Sequence, residues 1–141
     1  MPDAAHARKR MVKAQLVARG ICDCRVLEAM GAVHREAFVS PGLIEFAYED
    51  SPLAIPAGQT ISQPYVVAFM LEAAALHPED RVLEIGTGSG YAAAVASRLC
   101  KQVVTIERHR ELAEAAQEHL KRQRYDNVTV LLGDGTKGWL D

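Results

Sequence analysis

From residue 81 onward the chain alternates two hydrophobic periods. Residues 81–85, 102–106 and 128–132 are short apolar runs of strand length, each bounded by turn residues. Between them lie stretches of helical period: 91–99 is rich in alanine, and 110–123 sets Leu112, Ala116 and Leu120 on one face. A glycine loop at 86–90 joins the first strand to its helix, and Asp126-Asn127 makes the turn before the third strand. Strand, helix, strand, helix, strand predicts an α/β fold with a parallel three-strand sheet and right-handed crossovers. Ligands of such sheets bind at the carboxyl ends of the strands.

The first half is patterned differently. A helix is expected over 7–18, ended at Gly20. Asp23 is placed to cap a second helix, with Val26, Leu27, Met30 and Val33 at helical spacing. From 41 to 59, Pro41, Pro52, Pro56, Gly42 and Gly58 interrupt regular structure. Pro64 suits the first position of a third helix, with Gln63 or Ser62 just before it; Val66, Val67, Phe69, Met70 and Leu71 carry it, and His77-Pro78 stops it. The expected organisation is a single domain over 1–141, with a helical and substrate-loop segment over 1–78 and a β-α-β-α-β segment over 79–141.

Composition narrows the class. Of 141 residues, 49% are hydrophobic and 24% charged, enough apolar surface for a core and unlike a disordered tail. A net charge of -2 gives no bulk attraction to nucleic acid or anionic lipid, so neither is expected as a partner. No stretch approaches the roughly 20 apolar residues of a membrane span, and the polar, basic residues 1–10 lead into no apolar run of the kind a secretory leader needs. Cys22, Cys24 and Cys100 make neither a disulfide framework nor a finger-like metal set. Reduced cysteines, no bound metal and a cytoplasmic location are the expectation.

The chemistry concentrates at the strand ends. After Val82-Leu83-Glu84-Ile85 come Gly86, Gly88 and Gly90, alternate glycines that let the backbone turn tightly and a ligand approach it. Glu107 ends the second strand, where a carboxylate can accept two hydrogen bonds from a ribose diol. Asp134, in Gly133-Asp134-Gly135 at the end of the third, can accept from an adenine amino group. A nucleoside-containing cofactor is expected. Gly88-x-Gly90-x-x-Ala93 formally fits the dinucleotide fingerprint, which keeps NAD as an alternative. A pyrophosphate, however, wants a helix start free of anions. Glu84 precedes the loop, and no Lys or Arg lies between Glu84 and Ser97. S-adenosyl-L-methionine carries a sulfonium and an ammonium and no phosphate, so the Glu-x-Gly-x-Gly-x-Gly form favours it.

Gly58-Gln59-Thr60-Ile61-Ser62-Gln63-Pro64-Tyr65, followed by 82–90 and then Gly133-Asp134-Gly135, resembles the protein-L-isoaspartate O-methyltransferase family. Arg19-Gly20-Ile21, Phe38-Val39 and Tyr48-x-Asp50-x-Pro52-Leu53 are similar to it too. The resemblance implies a Rossmann-like class I methyltransferase fold, with S-adenosyl-L-methionine as cofactor and isoaspartyl-containing peptides and proteins as substrates. It implies that Gly86, Gly88 and Gly90 wall the cofactor, that Glu84 lies near its methionine end, that Glu107 holds the ribose, and that Asp134 with Gly135 holds the adenine. It puts Thr60 and Ser62 at the reacting carboxylate; capping the helix that begins at Pro64 is the alternative role for these hydroxyls. His34 stands where the family often has proline, and Arg124 where a helix-ending glycine is usual.

The resemblance also implies seven strands, of which this sequence supplies the first three, in spatial order 3-2-1. The sheet is therefore expected to be truncated, with the first strand at an open edge although Val82, Leu83 and Ile85 suit one covered on both faces. The implied protein is a monomer when complete, and 1–141 alone is expected to be inactive. A carboxyl of pKa about 3.9 is already ionised at neutral pH, so no general base is required. Methylation of the isoaspartyl alpha-carboxylate would let the ester collapse to a succinimide that reopens partly as aspartate, a protein-repair role. An NAD-dependent oxidoreductase fragment and a non-catalytic, truncated cofactor-binding remnant are the alternatives.

Overall fold

The computed structural model describes residues 3–139. Asp3 accepts a hydrogen bond from the Ala5 N–H and opens α1 (Ala4–Met11), three residues earlier than periodicity alone suggests. The helix then widens into a π-helical stretch, Val12–Leu16, and tightens into a 3-10 turn, Val17–Arg19, before Gly20 ends it at φ +96. The wide turn carries Met11 and Leu16, five residues apart, into the same core. Asp23 caps α2 (Cys24–Ala32) by accepting from the N–H groups of Arg25 and Val26. Two 3-10 turns follow, Arg35–Phe38 and Pro41–Phe46.

The interrupted region holds a short antiparallel hairpin of β1 (Leu53–Ile55) and β2 (Gln59–Ile61), with Ala54 opposite Thr60. Pro52 and Pro56 flank β1, so no ladder hydrogen bond is lost to them. Ala57 and Gly58 both take positive φ, +62 and +67, the combination that closes a tight hairpin. Helix α3 (Pro64–Ala74) starts at its proline as expected. It stops before His77-Pro78, because Ala75 turns left-handed at φ +50. His77 then donates its N–H to Asp80 Oδ2 at 2.7 Å and steers the chain into the sheet.

The second half follows its pattern closely: β3 (Arg81–Ile85), α4 (Tyr91–Ser97), β4 (Gln102–Glu107), α5 (Arg110–Arg122) and β5 (Val128–Leu132). The strands are parallel in the order β3-β4-β5, with Glu84 beside Thr105, Ile85 beside Ile106 and Glu107 beside Leu132. Leu112, Ala116 and Leu120 of α5 are buried, and one apolar cluster runs from Met11 to Val130, joining the N-terminal helices to the sheet helices. Strand β4 is central and buried nearly throughout. Strand β3 lies at the open edge expected of it: among the described residues it has a strand neighbour on one side only, and Leu83 is 43% and Ile85 55% exposed. Val66, Phe69 and Met70 of α3 are exposed too. Among the described residues no helix is long and apolar enough to cross a membrane.

Candidate functional site

The glycine loop is built by the sheet beneath it. Gly86 extends the ladder, donating its N–H to the Ile106 carbonyl at 2.8 Å, and Gly90 donates to Thr87 O at 3.0 Å to close the turn. Gly86, Gly88 and Gly90 all take positive φ, +90, +57 and +92. A Cβ at Gly90 would stand 3.3 Å from Leu120 Cδ1, so this glycine also lets α5 pack close. A Cβ at Gly86 would meet nothing within 4 Å, leaving that part of the loop open to an approaching group.

Glu107 is 5% exposed and holds the loop from below. Its Oε1 accepts the Gly88 N–H at 3.0 Å and its Oε2 accepts the His109 N–H at 2.9 Å. Each oxygen keeps a second lone pair for a further donor. Glu84 is half-buried, and its Oε1 accepts the Thr105 hydroxyl at 2.6 Å. Thr105 lies 2.6 Å from the Thr87 hydroxyl; its one proton is committed to Glu84, so Thr87 is the donor between them. Burial pushes the Glu84 carboxyl up to about 7; the Thr105 hydroxyl pulls the other way, and the nearby Glu107 charge adds to the rise.

A cleft of about 490 Å³ lies between α3, the hairpin end and β3. Thr60, Ser62, Glu84, Gly86 and Gly88 all line it, which brings the two segments singled out in the sequence into one space. Gly90, Glu107, Asp134 and Gly135 lie outside its lining. Thr60 and Ser62 are exposed, and neither caps α3: Gln63 holds the cap position, and the helix has no side-chain cap. Asp134 is exposed, and its Oδ1 accepts both the Thr136 N–H at 2.9 Å and the Thr136 hydroxyl at 2.6 Å, bonds that hold its carboxyl below the usual range. Gly135 is required sterically, since a Cβ there would lie 2.3 Å from Ile85 Cγ2. Thr87 and Thr105 join the site without a motif of their own in the sequence. Thr105 left one trace, a hydroxyl in the middle of an apolar strand.

The donor set fits a cationic nucleoside cofactor better than a dinucleotide. Two carboxylates stand at the loop, and the helix start after it carries no Lys or Arg that would meet a pyrophosphate.

The family model for Protein-L-isoaspartate(D-aspartate) O-methyltransferase matches residues 6–141. The chain belongs to this family. It is 58% identical over 139 residues to the protein-L-isoaspartate O-methyltransferase of Methylorubrum extorquens, covering 99% of this chain and 60% of that relative. With the one from Protochlamydia amoebophila it shares 57% over 129 residues, 92% of this chain and 61% of that relative. The chain thus spans about six tenths of the length of these family members. A solved protein-L-isoaspartate O-methyltransferase superposes with a TM-score of 0.79 at 33% identity, covering 91% of this chain and 42% of the other. The Plasmodium falciparum relative, solved in complex with S-adenosyl-L-homocysteine, gives 0.75 at 28% identity, over 89% and 62%. The Rossmann-like methyltransferase fold expected from the sequence is thereby established.

Proposed function

We propose that this chain carries the cofactor half of a methyltransferase acting on L-isoaspartyl residues of damaged proteins. The observation that carries the proposal is the single cleft lined by both the Thr60–Ser62 segment and the Glu84–Gly88 segment. Membership in the isoaspartate methyltransferase family supports it. The Plasmodium falciparum relative's S-adenosyl-L-homocysteine supports S-adenosyl-L-methionine as the cofactor. When bound, that cofactor supplies an electrophilic methyl on a sulfonium, so a carboxylate oxygen takes the methyl and the electron pair of the broken carbon–sulfur bond stays on sulfur.

The chain's own residues bind and orient. Gly86 and Gly88 give close approach to the loop backbone; Gly90 keeps the loop seated against α5. Glu84 faces the cleft, and its carboxylate would pair with the cofactor's ammonium. Glu107 would use its remaining lone pairs for the ribose diol, and Asp134 and Gly135, past the end of β5, the adenine. Thr60 and Ser62 would hold the substrate carboxylate, which is already ionised and gives up no proton. Aligning two bound reactants is then the main source of rate, an effect that can reach about 7–11 kcal/mol. Isoaspartyl peptides and proteins are the partners this reading requires. The exposed free thiols Cys22 and Cys24 suit a reducing cytoplasm.

The test is methyl transfer from S-adenosyl-L-methionine to an isoaspartyl peptide, beside the same peptide with normal aspartate, by this chain extended to the length of its family members. Methyl ester on the isoaspartyl peptide alone is the expected result. Cofactor binding without transfer to either peptide would favour a non-catalytic cofactor-binding protein instead.

A further inference from the structure

Arg35 is the largest fully buried side chain among the described residues, with 0% exposure, and no carboxylate pairs with it. Its Nε donates to the Ala47 carbonyl at 2.6 Å, and its Nη2 donates to the Ser62 carbonyl at 2.9 Å. Its guanidinium carbon sits 4.8 Å from the centroid of the Tyr91 ring. Tyr91 is the first residue of α4, directly after the glycine loop. Nη1 is buried and makes no hydrogen bond of good geometry among the described residues; the nearby Tyr91 hydroxyl interacts with the guanidinium.

A buried cation without a carboxylate is a poor way to gain stability, because desolvation costs more than neutral carbonyls return. Burial accordingly pulls the Arg35 pKa down. A planar fork can do what an apolar side chain cannot: it fixes carbonyls of two separate segments at a set angle while stacking on an aromatic ring. One of those carbonyls belongs to Ser62, and the ring belongs to the residue that follows the cofactor loop. Holding the Ser62 carbonyl restrains ψ at Ser62 and with it the direction of the Cα–Cβ bond that carries its hydroxyl. We infer that Arg35 is a positioning residue that sets Ser62 at a fixed distance from the glycine loop, and so aligns the substrate carboxylate with the methyl donor. This rests on the methyltransferase reading above for its consequence, but the clamp itself is measurable without catalysis.

Arg35→Lys keeps the charge and loses the two-carbonyl fork, so it separates the two. The first readout, on the full chain, is amide hydrogen exchange. In Arg35→Lys, residues 59–63 are expected to exchange at least tenfold faster, with the amides of β4 unchanged. Acceleration spread evenly over the chain, or none in 59–63, would overturn the inference. The second readout is a kinetic cycle with Ser62→Ala. In the chain extended to the length of its family members, Arg35→Lys is expected to lower turnover on an isoaspartyl peptide at least tenfold in the parent and less than threefold in Ser62→Ala, with S-adenosyl-L-homocysteine affinity within twofold throughout. An equal loss in both backgrounds would mark Arg35 as merely structural. Should Arg35→Lys fail to fold, the unaltered chain still decides: the Arg35 Nε–H should be detectable by NMR and protected at least a hundredfold from solvent exchange, and an unprotected Nε–H would overturn the clamp. A protected Arg35 and the expected change at 59–63, in a chain that methylates no peptide even when extended to the length of its family members, would sustain the clamp and refute the proposed function.

Discussion

Gly88 donates its backbone N–H to Glu107 Oε1 at 3.0 Å, so the carboxylate expected to meet a ribose also fastens the glycine loop to the sheet. Substitution there should therefore register twice. Glu107→Ala leaves the N–H groups of Gly88 and His109 without their acceptor, at a cost of about 1–3 kcal/mol in unfolding free energy. It should also weaken S-adenosyl-L-homocysteine by roughly 1.5–3 kcal/mol, the scale for hydrogen bonds to a charged group. Glu118, exposed and paired with Arg122 one helical turn on, is the control, and its alanine variant should change either quantity by no more than about 0.5 kcal/mol. Urea denaturation and calorimetric titration of both variants check this, and equal effects at the two positions would remove Glu107 from the site.

Glu84 should make both stability and binding depend on pH. Its folded value, about 7, lies above the ordinary 4.5, so the folded chain holds a proton that the unfolded chain releases between these values. The contribution of this group to stability is accordingly greatest at low pH and falls as pH rises from 4.5 through 7. Cofactor binding runs the opposite way, since an ammonium partner favours the ionised carboxylate. At pH 6 S-adenosyl-L-homocysteine should bind with release of a proton, seen as a difference in binding heat between two buffers of unlike ionisation enthalpy. Glu84→Gln should abolish that difference; an unchanged proton release in Glu84→Gln would assign it to another group.

Arg124 takes φ +62 just past the end of α5, at the position where the family resemblance implies a glycine. A left-handed backbone costs an L-residue roughly 1–2 kcal/mol, part of which glycine returns through its freer unfolded chain. Arg124→Gly should raise the unfolding free energy by about 0.5–1 kcal/mol. A lower urea midpoint in the variant would contradict this.

The elements legible in the sequence were those whose length lets a period show. Strands β3 and β5 begin and end where their apolar runs do, because turn residues bound them on both sides. The hairpin of β1 and β2 was not legible: three residues per strand are too few for alternation, and the prolines beside it signal only interruption. The π-helical stretch was hidden for a related reason, since Met11 and Leu16 fit no 3.6-residue stripe. At the candidate site, the grouping of Glu84, Gly86, Gly88 and Glu107 could be read because they sit at fixed places around a strand-to-helix turn. Arg35 could not, because a charged residue in a 3-10 turn reads as solvent-exposed until its carbonyl partners, Ala47 and Ser62, are brought to it by the fold.

Ser62 separates substrate orientation from cofactor binding. It lines the cleft, its carbonyl is held by Arg35, and it plays no part in capping α3. In the chain extended to the length of its family members, Ser62→Ala should lower turnover on an isoaspartyl peptide about tenfold, the loss of one hydrogen bond near 1.5 kcal/mol. Its affinity for S-adenosyl-L-homocysteine should stay as in the parent. A large loss of cofactor affinity with normal turnover would move Ser62 out of the substrate region.

The central claim is that the glycine loop and its two carboxylates were shaped for a cationic nucleoside without a pyrophosphate. Calorimetric titration of the chain with S-adenosyl-L-homocysteine and, separately, with NAD tests it most directly. Saturable heat with S-adenosyl-L-homocysteine and none with NAD is the predicted result; saturable binding of NAD with no response to S-adenosyl-L-homocysteine would contradict it.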